Sequence, residues 1–204
     1  MAERESLLLA VLAPGSVEAA VGRAQEAIFR EHGLVSAIAL PPLVPVAFLD
    51  GGARERGQGE DGGEGDPLPR GFLGRVERAV RAPYWFTVTG MAWEGGALFL
   101  ALDSGGVWRA LREACAAELA RAEDSPRIAR DGAGLFPAFE GFFLGCVEAT
   151  RAQRQSIRVE APEARFSSAI LAVARIATPA SGQHWWREIC CTIEEEKPLR
   201  GKRA

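Results

Sequence analysis

The amino-acid sequence predicts an α+β fold built from two copies of one strand–helix–strand unit. Two observations carry this. An apolar run starting at Leu7 leads into a helical pattern starting at Val17, and the same pair recurs at Ala97 and Val107. Each helix then passes through an irregular stretch into a further apolar strand. Two copies of a unit in one chain predict pseudo-two-fold lobes: two antiparallel sheets forming a central groove, with the helices outside.

Each element has its own warrant. Leu7 to Leu12 is a continuous apolar run stopped by Pro14-Gly15. Ser16 reads as a helix N-cap with Glu18 in the first turn, where the helix dipole favours an acid. Val17, Val21, Ala24 and Ile28 recur at spacings of three and four and so share a helical face. Gly33, after His32, is the stop. A second strand is expected from Val44 to Leu49.

From about residue 50 to 70, glycines alternate with acids and arginines, which predicts a mobile surface loop. Val88 to Trp93 and Ala97 to Leu102 read as a hairpin around Glu94-Gly95-Gly96. Val107, Leu111, Cys115 and Leu119 then step by four along the inner face of the second helix. Phe136 to Val147 is dense in aromatic and small apolar residues. Two more strands are expected, Ser168 to Ile176 and Trp185 to Ile193.

The 204 residues suit one domain, read as 1–196, with a basic tail at 197–204. Of these residues 48% are hydrophobic and 25% charged, with a net charge of −3, so nothing draws the whole chain to nucleic acid or an anionic membrane. No apolar stretch approaches the roughly 20 residues of a membrane helix. The acidic start, Glu3 and Glu5, does not fit a secretory signal. The four cysteines form no Cys-x-x-Cys pair, and Cys190 and Cys191 point to opposite faces of a strand. The expectation is a cytoplasmic protein with reduced thiols and no metal or other cofactor.

The segment Ala39-Leu40-Pro41-Pro42-Leu43-Val44-Pro45-Val46-Ala47-Phe48 resembles the first motif of the 2H phosphoesterase superfamily, which includes RNA 2′,3′-cyclic phosphodiesterases and 2′-5′ RNA ligase-like proteins. That motif reads as two prolines, His-x-Thr, then apolar strand residues. Gly141-Phe142-Phe143-Leu144-Gly145 is similar to the second, usually His-x-Thr-Leu-Gly. The order of elements fits over most of residues 7 to 193.

The resemblance implies a histidine base, a histidine acid and two phosphate-binding threonines facing one groove. Those four positions here are Leu43, Pro45, Gly141 and Phe143, none of which transfers a proton. An alternative register puts Ala138 and Glu140 in the second motif's slots. Neither register supplies a histidine, because the chain holds only His32 and His184. General acid–base catalysis contributes roughly 10²- to 10⁴-fold per group, so losing both forfeits about 5 to 11 kcal/mol if the effects add.

The expectation is therefore a catalytically degenerate 2H-like protein. Its binding or interaction role would run through an apolar central groove that holds a ligand or a protein segment, or is filled by its own side chains. Two alternatives stay open. One is an active phosphodiesterase or hydrolase using His184, Glu140 and the arginines that follow the second motif. The other is a non-cleaving RNA-binding protein that contacts an RNA or nucleotide-like ligand through Arg151 and Arg154.

Overall fold

The computed structural model describes residues 3–50, 68–78, 80, 84–121, 127–128, 135–162, 164–179 and 184–199. Along the chain these form β1 (Glu3–Leu12), α1 (Gly15–His32), a 3-10 turn (Val35–Ile38), β2 (Leu43–Asp50) and α2 (Phe72–Glu77). Next come β3 (Phe86–Glu94), β4 (Ala97–Asp103), α3 (Val107–Leu119), β5 (Arg127–Ile128), β6 (Gly141–Gly145) and α4 (Arg151–Ser156). Last are β7 (Arg165–Phe166), β8 (Ala169–Pro179), a second 3-10 turn (Trp185–Arg187) and β9 (Cys190–Leu199).

The strands form two sheets, ordered β5-β2-β1-β8-β9 and β6-β4-β3-β7. Every pairing is antiparallel. The duplication is visible in this topology. β1 and β2 flank α1 in sequence and pair with each other, and β4 and β6 do the same around α3. The fold is α+β with two antiparallel sheets.

The helices bury the faces their periodicity marks: Val17, Val21 and Ile28 on α1, and Val107, Leu111, Cys115 and Leu119 on α3. The start of α1 differs from the sequence expectation. Pro14, not Ser16, is the capping residue, and its carbonyl accepts from the N–H groups of Val17 and Glu18 at 2.9 and 3.0 Å. A proline held at φ −66° enters the helix without a side-chain cap. Gly33 ends it at φ +68°, as expected of a residue that must turn left-handed. The β3–β4 hairpin turns on Gly95 and Gly96, both at positive φ.

The C-terminal strand also differs. Trp185 sits in the 3-10 turn, and β9 begins only at Cys190. It then pairs with β8 as far as Leu199, three residues into the stretch read as a tail. Backbone pairing outweighs the polar composition of Glu194-Glu195-Glu196-Lys197. The end is fixed because Leu199 is buried and the Tyr84 hydroxyl donates to its carbonyl. Residues 51–67, most of the glycine-rich stretch, and residues 200–204 lie outside the described residues.

Two apolar clusters form the core. The larger joins α1, α2 and α3 to the sheet faces bearing Leu7, Leu9, Leu98 and Leu100. The smaller joins the opposite faces of both sheets: Leu8, Ala10, Leu43 and Phe48 from one, Ala97, Phe99 and Phe143 from the other. This second cluster lies where the sequence places the groove. No helix among the described residues is long and apolar enough to cross a membrane.

Candidate functional site

Both motif-like segments fall on paired strands, so the register fixes which side chains share a face. In β2, Leu43 lies opposite Leu12 and Pro45 opposite Ala10, while Phe48 lies opposite Leu8. The register shifts between Leu9 and Ala10, leaving Val46 as the extra residue of a bulge beside Pro45. That is where a strand tolerates a proline, which has no N–H for the ladder. In β6, Gly141 lies opposite Ala101 and Phe143 opposite Phe99. Directly opposed residues share a face. All four motif-equivalent positions therefore sit on the sheet faces that carry the smaller cluster.

Aromatic rings occupy the space between those faces. Phe136, from the loop before β6, stacks on Phe143 with ring centres 4.1 Å apart. It also meets Phe48 edge-on at 5.0 Å and Trp185 at 5.9 Å. Phe99 contacts Phe139 at 4.8 Å and Phe143 at 5.7 Å. Leu43, Phe99 and Phe143 are fully buried. Among the described residues, these aromatic side chains pack against one another between the two faces.

Gly141 has no room for a side chain. A Cβ there would lie 2.6 Å from the carbonyl oxygen of Leu100 and 3.1 Å from Cα of Ala101, both backbone atoms of β4. A histidine at this position would need the two strands to move apart.

Two side chains from opposite halves of the chain secure the motif strands. The amide of Gln25, on α1, donates to the carbonyls of Phe143 at 3.0 Å and Leu40 at 3.2 Å. The indole N–H of Trp108, on α3, donates to the carbonyl of Pro45 at 3.0 Å. Each motif strand thus receives a hydrogen bond from the helix of the other repeat. At the end of β6 the close packing continues. Gly145 turns at φ +79°, and a Cβ there would overlap the backbone of Ser36 and Ala37. Ser36 donates to the Glu148 carboxylate through its N–H at 2.9 Å and through its hydroxyl.

The remaining candidate residues make their contacts elsewhere or at the edge of this cluster. Glu140 accepts from the N–H of Ser104 at 2.9 Å and from its hydroxyl, and the Ser104 hydroxyl accepts from Trp108 N–H at 3.0 Å. Glu140 therefore secures the start of α3. His184 is exposed, left-handed at φ +57°, and meets the Trp186 ring edge-on at 5.2 Å. Arg151 is exposed in the first turn of α4. Arg154 donates to the Ala149 carbonyl at 3.1 Å and lies over the Trp93 ring at 5.0 Å. Among the described residues, none of these four side chains bonds to or stacks on another.

Three of the four thiols are held protonated by their surroundings. Burial pushes Cys115 and Cys146 up to about 12, and Cys191 up to about 11. Only Cys190 is exposed among the four. Among the described residues no three His, Cys, Asp or Glu side chains gather as metal ligands do.

Sequence reasoning missed three residues that define this region: Phe136, Gln25 and Trp108. Gln25 left a signal, because it interrupts the inner face of α1 four residues after Val21 and three before Ile28. A polar residue at a buried helical position points to a specific hydrogen-bond partner inside.

No protein-family model matches the chain, and no curated protein does. Among solved structures it is similar to the crystal structure of TT0787 of Thermus thermophilus. The TM-score is 0.58, the identity 21%, and the match covers 97% of this chain and 100% of that one. The two chains share a fold. Because nearly all of both chains is covered, the likeness extends to the two-sheet arrangement as a whole rather than to one sheet.

Proposed function

We propose that this chain is a catalytically degenerate 2H phosphoesterase-like protein that acts through binding or interaction rather than phosphodiester chemistry. The observation carrying this reading is the stack of Phe136 on Phe143, in the space where the resemblance puts two histidines and two threonines. Leu43 and Gly141 hold the histidine positions, and Pro45 and Phe143 the threonine positions. None offers a proton, a base or a side-chain donor to a phosphate.

Two further observations support it. The backbone of β4 leaves no space for a side chain at Gly141. The chain's two histidines, His32 at the end of α1 and His184 in an exposed turn, lie on neither motif strand. The loss corresponds to about 5 to 11 kcal/mol of transition-state stabilisation if the two contributions add, and less if they act as a unit.

The binding surface in this reading is not the inner space, which self-packing closes, but the exterior. The test is hydrolysis of a 2′,3′-cyclic nucleotide by purified protein, with a His184→Ala variant alongside to expose contaminating nuclease. No turnover above background supports the reading. Turnover that falls in the variant refutes it.

A further inference from the structure

Gln25 is 3% exposed, yet only one of its two polar side-chain atoms has a partner in the chain. Its amide nitrogen donates to the backbone carbonyls of Leu40 and Phe143. Because both partners are acceptors, the amide has one orientation, and the other atom is the oxygen Oε1. Among the described residues no donor reaches Oε1, although every side-chain N or O atom sealed from solvent has a partner. Oε1 is therefore not sealed in. It opens on a surface hollow of about 380 Å³, which Gln25 lines with Gly22 and Glu26 of α1 and with Ile38, Pro41 and Pro42 on the approach to β2. Cys191 of β9 lines it as well, with a thiol that burial pushes up to about 11 and so keeps neutral.

We propose that this hollow is a binding site for a small organic cation, an amidinium-like head with several N–H donors carried on a compact apolar body. The lining selects that chemistry. Its side-chain oxygens are acceptors, Oε1 of Gln25 and the carboxylate of Glu26, and they come from adjacent residues. Glu26 is the one charged residue among the described residues of the lining, so an anion would meet a like charge and no counter-charge. The ion pair that Glu26 makes with Arg30, 3.7 Å long with both side chains exposed, contributes little and leaves the carboxylate free to turn. Ile38 and the rings of Pro41 and Pro42 offer apolar surface to the body of the ligand. A buried amide oxygen calls for a donor, and a head seated here supplies it. None of Leu43, Pro45, Gly141 and Phe143 lines the hollow, so binding there does not depend on whether the chain catalyses.

Titration of the isotope-labelled chain with benzamidine, followed by NMR, tests this. A ligand of this size should bind with a Kd on the order of 1 mM, moving the side-chain amide signals of Gln25 and the backbone signals of Gly22 and Glu26. Benzoate, of the same shape and opposite charge, should move none of them. Glu26→Gln, an exposed change that keeps the shape and removes the charge, should weaken benzamidine about fivefold. Gly22→Leu should abolish binding. A Cβ at Gly22 meets only Pro42, at 3.9 Å, so the longer side chain enters the hollow, and leucine suits a helix better than glycine. Absence of saturable shifts at roughly ten times that Kd overturns the proposal. So does equal binding of benzoate, or benzamidine binding indifferent to Glu26→Gln or to Gly22→Leu.

Discussion

The side-chain amide of Gln25 reaches from the first helix to the backbone carbonyl of Phe143, 118 residues away in sequence and 3.0 Å away in space. It is 3% exposed and donates its second hydrogen to the carbonyl of Leu40. One buried amide thus ties α1, the approach to β2, and β6 together. Trp108 makes the reciprocal tie, from α3 to Pro45. Both carbonyls belong to motif-equivalent residues, and both bonds serve packing.

Gln25→Leu keeps the volume and removes both donors, leaving two buried carbonyls without this partner. The expected loss is about 2 kcal/mol, read from the urea midpoint with an unchanged m-value. Trp108→Phe removes a partly buried bond and should cost about 1 kcal/mol. Equal effects from the two variants would contradict the burial difference between the sites.

Gly145→Ala is expected to be far more damaging. The position has φ +79°, and its Cβ would overlap backbone atoms of Ser36 and Ala37, which cannot swing away as a side chain tip can. The loss should be on the order of 3 kcal/mol. Gly33→Ala, also at positive φ but with open space around it, should cost only about 1 kcal/mol. A thermal melt of the two variants separates strain from collision.

Placing histidines where the resembled motifs carry them should not create chemistry. A Leu43→His, Gly141→His variant must force a side chain against β4 and disturb the packing around Phe136 and Phe143. It should lose about 2 kcal/mol or more and show no hydrolysis of a cyclic nucleotide. Activity in this variant would mean that the inner space opens readily.

The buried thiols set an alkaline limit. Cys115 and Cys146 hold their protons up to about 12 in the folded chain, whereas an unfolded cysteine ionises near 8.5. Above that value the unfolded state binds fewer protons than the folded one, so stability falls as pH rises. Each thiol contributes up to about 1 kcal/mol per pH unit between about 9 and 12. A Cys115→Ala, Cys146→Ala variant should show a shallower decline in urea midpoint over this range. Its stability below pH 8 should depend little on pH from this source.

The duplicated frame was legible because local patterns dictate it. Strand starts at Leu7 and Ala97, helix faces from Val17 and Val107, and the stop at Gly33 all follow from periodicity and backbone sterics. The end of β9 was not legible, because its pairing with β8 carries Glu194 to Lys197 into a strand that their composition argues against. The cap at Pro14 was missed because Ser16 offers the commoner chemistry. The contents of the inner space were only half legible. Leu43 and Phe143 declared that the space is apolar. That Phe136 fills it depends on a loop whose path no short-range pattern specifies.

Hydrolysis at single-turnover sensitivity tests the central claim most directly, using excess enzyme and a short RNA ending in a 2′,3′-cyclic phosphate. With Phe136 stacked on Phe143 and no histidine on either motif strand, cleavage should not exceed the rate without protein, and His184→Ala should behave identically. Opening of the cyclic phosphate above that rate, lost on His184→Ala, would place a working site on the exterior and contradict the account.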